Sequence, residues 1–184
     1  MNPSQIVQRW RVRGGYLLAV VVLLLARPGP RSILLGAVIG AVGLFIRAYA
    51  AGFLHKKEVL TVTGPYAHTR NPLYLGSAIL ALGAAVAMHS WWAAVLLLAY
   101  FALVYAVVMR REEAELRQQH GASFDAYTNS VPLFFPQLNS TRDLGGGEAS
   151  FSLAQYQKNR EYRAAVGFLL FLLVLVIIWR LRAR

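Results

Sequence analysis

The sequence predicts an all-α, multi-pass membrane bundle of about five transmembrane helices, on three observations. The 184 residues are 57% hydrophobic and 15% charged, whereas a soluble domain carries about 25% charged residues. The apolar residues fall into five runs separated by polar or Pro/Gly-containing turns. The basic residues, behind a formal net charge of +11, gather at the ends of those runs. That pattern fits topology signals and contact with anionic headgroups, not nucleic acid. Cysteine is absent, which removes disulfides, thiolate metal sites and thiol nucleophiles.

The first run, Gly15 to Ala26, has 12 residues and covers only about 18 Å of a roughly 30 Å hydrocarbon core. It borrows length from Ile6–Gly14, with Arg9, Arg11 and Arg13 snorkelling, or forms half of a helical hairpin. Ala26-Arg27-Pro28 is a poor cleavage site, so this run is expected to be retained. Pro28-Gly29-Pro30 makes a turn. The second run, Ser32 to Leu54, is long enough to span and carries Gly36 and Gly40 as a GxxxG face. Arg47 in its last third reads either as an arginine snorkelling to the nearer interface or as a ligand-facing cation. The third run, Leu73 to Met88, has a small-residue stripe of Ser77, Ala81 and Ala85. His89-Ser90-Trp91-Trp92 forms a tight turn at an interface. The fourth run, Trp91 to Met109, is predicted to continue as a polar helix to His120 and stop at Gly121. The fifth runs from Ala164 to Trp179.

Charge sets the expected orientation. Lys56, Lys57 and Arg70 lie between runs two and three, and Arg110 and Arg111 follow run four. The Trp hairpin has neither Lys nor Arg. Both polar segments are therefore expected to face the cytoplasm. A full fifth span then carries Arg180, Arg182 and Arg184 to the other side, so that helix either violates the bias or lies partly along the surface.

The chemistry concentrates in two polar clusters. Thr63 to Gly76 is a turn rich in Gly, Pro, Tyr, Arg and Asn that runs into an apolar helix, and polar groups at that depth are costly unless they hold something. Glu112 to Pro136 is the second. About 36 residues separate Gly76 from Glu112, two spans and a turn, so the clusters are expected to meet at one interface. No GxGxxG, GxxxxGK, HExxH or GxSxG pattern is present, which argues against Rossmann, P-loop, zincin and hydrolase-elbow chemistry. His55, His68, His89 and His120 lack metal-ligand spacing, and no metal is expected. What remains suits a zwitterionic ligand. Carboxylates meet an ammonium or ribose hydroxyls, Arg or Asn meets a carboxylate, and aromatic faces meet a cation or a purine. Glu112 and Glu113 read equally as a solvated face with Glu113 paired to Arg117. Asn139-Ser140-Thr141 matches a glycosylation acceptor, read as chance on the cytoplasmic side.

Gly64-Pro65-Tyr66, then Arg70-Asn71-Pro72-Leu73-Tyr74-Leu75-Gly76, then Glu112-Glu113 with Leu116, Gly121, Phe124, Tyr127, Val131-Pro132 and Pro136, resemble the isoprenylcysteine carboxyl methyltransferase family. The related phospholipid methyltransferases share much of this pattern. The resemblance covers about 40% of the chain and implies an S-adenosyl-L-methionine site. It makes Arg70 and Glu113 catalytic. It makes Gly64, Tyr66, Asn71, Pro72, Tyr74, Gly76, Glu112, Glu113 and Tyr127 cofactor-binding, with Tyr127 and Pro132 on a covering segment. The family has His where this chain has Asn71, which keeps a positioning role and loses a cationic one.

The implied acceptor is a carboxylate, amine or thiol on a membrane lipid or a prenylated small molecule. The expected organisation is a membrane methyltransferase core over 1–136, a polar linker over 137–150, and a C-terminal extension with an apolar helix over 151–184. Two rival readings remain: an NADPH-dependent membrane reductase of the sterol-reductase type, and a non-catalytic membrane scaffold. Oligomeric state is left open.

Overall fold

The computed structural model describes residues 3–55, 59–138 and 150–183, with side chains from residue 14 onward. Seven helices follow in order: α1 (Pro3–Leu25), α2 (Pro30–Phe53), α3 (Pro72–Met88), α4 (Trp91–His120), α5 (Ala122–Ser130), α6 (Leu153–Lys158) and α7 (Tyr162–Arg182). A short 3₁₀ turn, Gly64–Ala67, precedes α3, and no strand occurs among the described residues. Helices α2, α4 and α7 are long and apolar enough to cross a membrane, while Gly14–Leu25 and Pro72–Met88 are shorter apolar stretches. The predicted all-α membrane bundle is therefore observed. Lys56, Lys57, the Asn139–Thr141 acceptor, Arg184 and the side chains of Arg9, Arg11 and Arg13 lie outside the described residues.

Local chemistry explains the helix ends. Pro30 and Pro72 open α2 and α3, where a missing N–H costs nothing. Ser90 caps α4 by accepting from the Ala93 N–H. The chain passes from α4 to α5 at Gly121, whose φ of +51° is open to glycine at little cost.

Helices α2 and α3 form the tightest pair. A Cβ on Gly36 would lie 2.4 Å from the Gly83 carbonyl oxygen, and one on Gly83 would lie 2.6 Å from the Gly40 nitrogen. Backbone therefore rests on backbone, as at small-residue crossings in membranes. The α3 residues turned to α2 are Gly76, Gly83 and Ala87. Of the small-residue stripe, Ser77 and Ala81 line a cavity, and Ser77 also meets Arg47 of α2.

Helix α7 packs along α2, its start at Arg47 and its middle at Gly40. Glu161 pairs with Arg47 at 2.6 Å, the Phe168 ring fills the space under Gly40, and fully buried Leu175 packs with Val22, Ala26, Ala87 and Met88. The fifth apolar helix thus packs along the bundle, and its basic end has local partners. Arg182 donates to the carbonyls of Ala26 and Leu24, and Arg180 lies 4.7 Å from the Trp179 ring centroid. Helix α6 closes the end of α2. Gln155 donates to Leu54 O at 2.5 Å and Asn159 to Ala51 O at 2.8 Å and Leu54 O at 2.9 Å, satisfying carbonyls that the helix terminus leaves free.

One end of the bundle therefore holds the C-terminus of α2, the 3₁₀ turn, the N-terminus of α3, and α6. The other holds the α1–α2 turn, His89–Ser90 and the C-terminus of α7.

Candidate functional site

At the first end, the segment from Gly64 to Asn71 is fixed from two sides. Gly64 has φ +59°, and a Cβ there would meet the Phe53 ring at 2.6 Å, so both conformation and space call for glycine. The stretch after α5 is stitched to the turn. Arg70 N–H donates to Pro132 O at 2.9 Å, Asn71 Nδ2 to Leu133 O at 3.0 Å, Thr69 Oγ1 to Phe134 O at 3.0 Å and Gln137 N–H to His68 O at 3.0 Å. Beneath it, Tyr127 donates its hydroxyl to Tyr66 O at 2.7 Å, while Phe124, Tyr127 and Val131 pack with Leu60, Val62 and Leu116.

The two polar clusters meet here. Arg70 forms an ion pair with Glu113, and Tyr74 donates to Glu112 at 2.6 Å. The alternative pairing of Glu113 with Arg117 is not formed; Arg117 bonds Asp125 at 2.8 Å instead. A cavity of about 270 Å³ opens between the turn, α4 and α5, just below the roughly 300 Å³ at which small-molecule sites begin. Tyr66, Arg70, Glu112 and Tyr127 line it, joined by Leu54, His55, Val59, Leu60, Thr61, Glu115, Leu116, Gln119 and His120. Glu115, Gln119 and His120 were not assigned to the site from the sequence, although 112, 115, 116, 119 and 120 follow the spacing of one helical face, and extending that face from Glu112 finds them.

The other predicted residues stand around the cavity. Glu113 and Tyr74 hold its wall through Arg70 and Glu112. Asn71 and Pro72 start α3, and Gly64 shapes the turn. Gly76 faces α2, where a Cβ would meet Arg47 at 2.7 Å and Gly43 O at 2.8 Å, so it sets the helix crossing.

Two polar atoms are left over: the Tyr66 hydroxyl and Arg70 Nε are buried without a partner among the described residues. A buried donor without an acceptor costs about 1–3 kcal/mol. Burial pushes the Tyr66 phenol far above its usual range, with Tyr127, Glu161, Glu112 and Tyr74 adding to the effect. Burial also raises Tyr127, with Arg70 acting against it. Both phenols therefore stay neutral near pH 7; the Tyr127 hydroxyl donates to Tyr66 O, and the Tyr66 hydroxyl keeps its proton without an acceptor among the described residues.

A second cavity of about 420 Å³ lies among α2, α3, α4 and α7. Arg47 and Ser77 mark its polar end; Ala81, Ala84, Leu97, Phe101, Phe168 and Phe171 make apolar walls. Arg47 is bonded to Glu161, Ser77 and Leu73 O. Tyr105 lines this cavity and meets Tyr74 edge-on at 5.1 Å, so Tyr74 stands between the two cavities.

The family model for phospholipid methyltransferase matches residues 30–123, just over half of the chain. The chain belongs to the phospholipid methyltransferase family. The match takes in α2, the turn, α3 and α4, and with three apolar helices of spanning length it makes this family member an integral membrane protein. The chain is 34% identical to the nickel-cobalt-cadmium resistance protein NccN of Alcaligenes xylosoxydans xylosoxydans, over 59% of this chain and 50% of the relative. It is 31% identical to the cobalt-zinc-cadmium resistance protein CzcN of Cupriavidus metallidurans, over 74% of this chain and 60% of the relative. It thus spans roughly half to three-fifths of the length of these curated relatives. No solved structure matches it. Among the described residues of this family member, no three His, Cys, Asp or Glu side chains form a group able to hold a metal ion.

Proposed function

We propose that this protein transfers a methyl group from S-adenosylmethionine to a carboxylate, amine or thiol on a membrane-embedded lipid or prenylated acceptor. The observation that carries the reading is that Tyr66, Arg70 and Glu112 line one cavity, with the Tyr66 hydroxyl and Arg70 Nε buried without a partner among the described residues. This donor set fits a zwitterion. Arg70 and Tyr66 would hold the donor's carboxylate, Glu112 its ammonium or ribose hydroxyls, and Tyr127 would provide an aromatic wall. Bound S-adenosylmethionine would supply an electrophilic methyl on a sulfonium that is its own leaving group.

The residues of this chain then position and exclude water. Glu113 fixes the Arg70 guanidinium through their ion pair, and Tyr74 fixes Glu112. The apolar cavity beside Tyr105 suits the tail of an amphiphile and brings its head toward Tyr74. An amine acceptor must lose a proton; with both buried phenols held neutral, Glu112 is the group that would take it. A carboxylate acceptor needs no base. The chain is proposed to be multi-pass, with this end on the cytoplasmic side, where Arg70, Arg110 and Arg111 follow the positive-inside bias.

Calorimetric titration of purified protein tests the donor. S-adenosylhomocysteine is expected to bind and NADPH not; the reverse result supports a reductase, and no binding of either supports a scaffold. Arg70→Lys keeps a charge for Glu113 but lacks the second donor. It is expected to fold, insert and lose labelled methyl transfer into a lipid extract. Normal turnover in that variant and in Glu113→Gln removes both residues from the site.

A further inference from the structure

The end of the bundle opposite the donor cavity has a different electrostatic character. Its segments, 26–31, 88–92 and 179–183, contain Arg27, Arg31, Arg180 and Arg182 and no Asp or Glu. Arg31 lies in the first turn of α2, the positive end of that helix dipole, where a cation is disfavoured. The Arg27 backbone is fixed, its N–H donating to Met88 O at 2.8 Å. Its exposed guanidinium makes no bond to the described residues. Arg182 holds the end of α1 through the carbonyls of Ala26 and Leu24.

Between these arginines lies a cleft of about 450 Å³, lined by Arg27, Pro28, Trp179, Arg182 and Ala183. Exposed Leu24, Leu25 and Leu181 stand beside it. Cations at the mouth, a tryptophan in the wall and aliphatic surface alongside match the polar-to-apolar sequence of a phospholipid from phosphate to acyl chain.

We propose that this cleft is a binding site for the phosphate headgroup of an anionic phospholipid, held by Arg27 and Arg182 with Trp179 at the level of the glycerol. None of the residues that line the cleft falls within the stretch 30–123 that matches the family model, and the site is independent of the methyl-transfer reading. It also gives Arg182 a role against the positive-inside bias: a bound phosphodiester offsets one positive charge where it stands.

The test is native mass spectrometry of the delipidated full chain in neutral detergent, with dioleoylphosphatidylglycerol or dioleoylphosphatidylcholine added. The expected result is one retained phosphatidylglycerol and little phosphatidylcholine. Arg27→Gln should weaken retention about fivefold, the effect of roughly 1 kcal/mol for one basic group at an anionic surface. Because the Arg27 side chain holds nothing else, its thermal unfolding should match that of the unaltered protein. Arg182→Gln should weaken retention too, but it also uncaps α1, so Arg27→Gln decides the matter. Arg31→Gln removes a charge from the same end without touching the cleft and should leave retention unchanged. Equal retention of both lipids, wild-type retention in Arg27→Gln, or equal losses in Arg27→Gln and Arg31→Gln overturns the site. Glycerol phosphate, which has the anion without the chains, should not displace the lipid; displacement at matched concentration makes this a free-phosphate site and overturns the lipid assignment.

Discussion

Tyr66 and Tyr127 touch one another yet differ in what their hydroxyls do. The Tyr127 hydroxyl donates to Tyr66 O, whereas the Tyr66 hydroxyl has no partner among the described residues. Tyr127→Phe should therefore lose about 1 kcal/mol of stability. Tyr66→Phe should lose none, since it removes an unpartnered buried hydroxyl, yet bind S-adenosylhomocysteine about three- to tenfold more weakly, the value of one hydrogen bond. Thermal melts and calorimetry of the two variants separate these outcomes; equal affinity in Tyr66→Phe would take its hydroxyl out of the site. The same pair predicts an alkaline limit. Both phenol pKa values are raised by burial, so above the usual phenol value of about 10 the unfolded chain releases protons that the folded one keeps, and stability falls with rising pH. Below that value the contribution is fully present. Melting temperatures taken through the alkaline range should drop less steeply in either Phe variant. At this scale Arg70, Glu112 and Glu113 were legible as polar groups in need of partners, because their residue types state their chemistry, and the structure pairs Arg70 with Glu113 and Tyr74 with Glu112. The sequence was uninformative about Gly76, since a glycine serves a helix crossing and a ligand turn equally well.

Helices α2 and α3 meet through main-chain atoms, which gives a contrast between two glycines. Gly83→Ala puts a methyl group against the backbone of α2, which has no flexible end to move aside, and should cost about 1–3 kcal/mol by overpacking. Gly167→Ala on α7 meets nothing within 4 Å and should gain up to about 1 kcal/mol from helix propensity. Unfolding of both variants in detergent measures the contrast. Glu161→Gln strips Arg47 of its counter-charge where both are largely buried, with an expected loss of about 1–3 kcal/mol. The long apolar runs and the glycine after His120 made α2, α4 and α7 legible, because hydropathy and C-cap chemistry are local. Helix α6 was not legible: Leu-Ala-Gln-Tyr-Gln-Lys has no apolar period of its own, and its partners on α2 lie more than 100 residues away. Arg47 and Glu161, 114 residues apart, were unreadable as a pair for the same reason.

The whole molecule is built so that a hairpin of two helices returns the chain to its starting level, which is why the meeting of the two polar clusters could be reasoned from length alone. The placement of α7 could not, since charge bias and packing give different answers for its basic end. Its removal is a direct measure of that packing. A chain ending at residue 138 loses the Phe168 ring under Gly40 and the buried Leu175, and it should melt well below the full chain or fail to accumulate.

Helix α4 is also a ruler. Its 30 unbroken residues reach about 45 Å against roughly 30 Å of hydrocarbon, so a single crossing would leave about a third of the rod clear of the lipid. Glu112, Glu115, Gln119 and His120 ride on that protruding portion. A thicker or thinner bilayer that changes the tilt of the rod must swing this portion too. Affinity for S-adenosylhomocysteine in vesicles of short, medium and long acyl chains should therefore pass through an optimum, and a flat profile would mean that the rod pivots freely of the wall it carries.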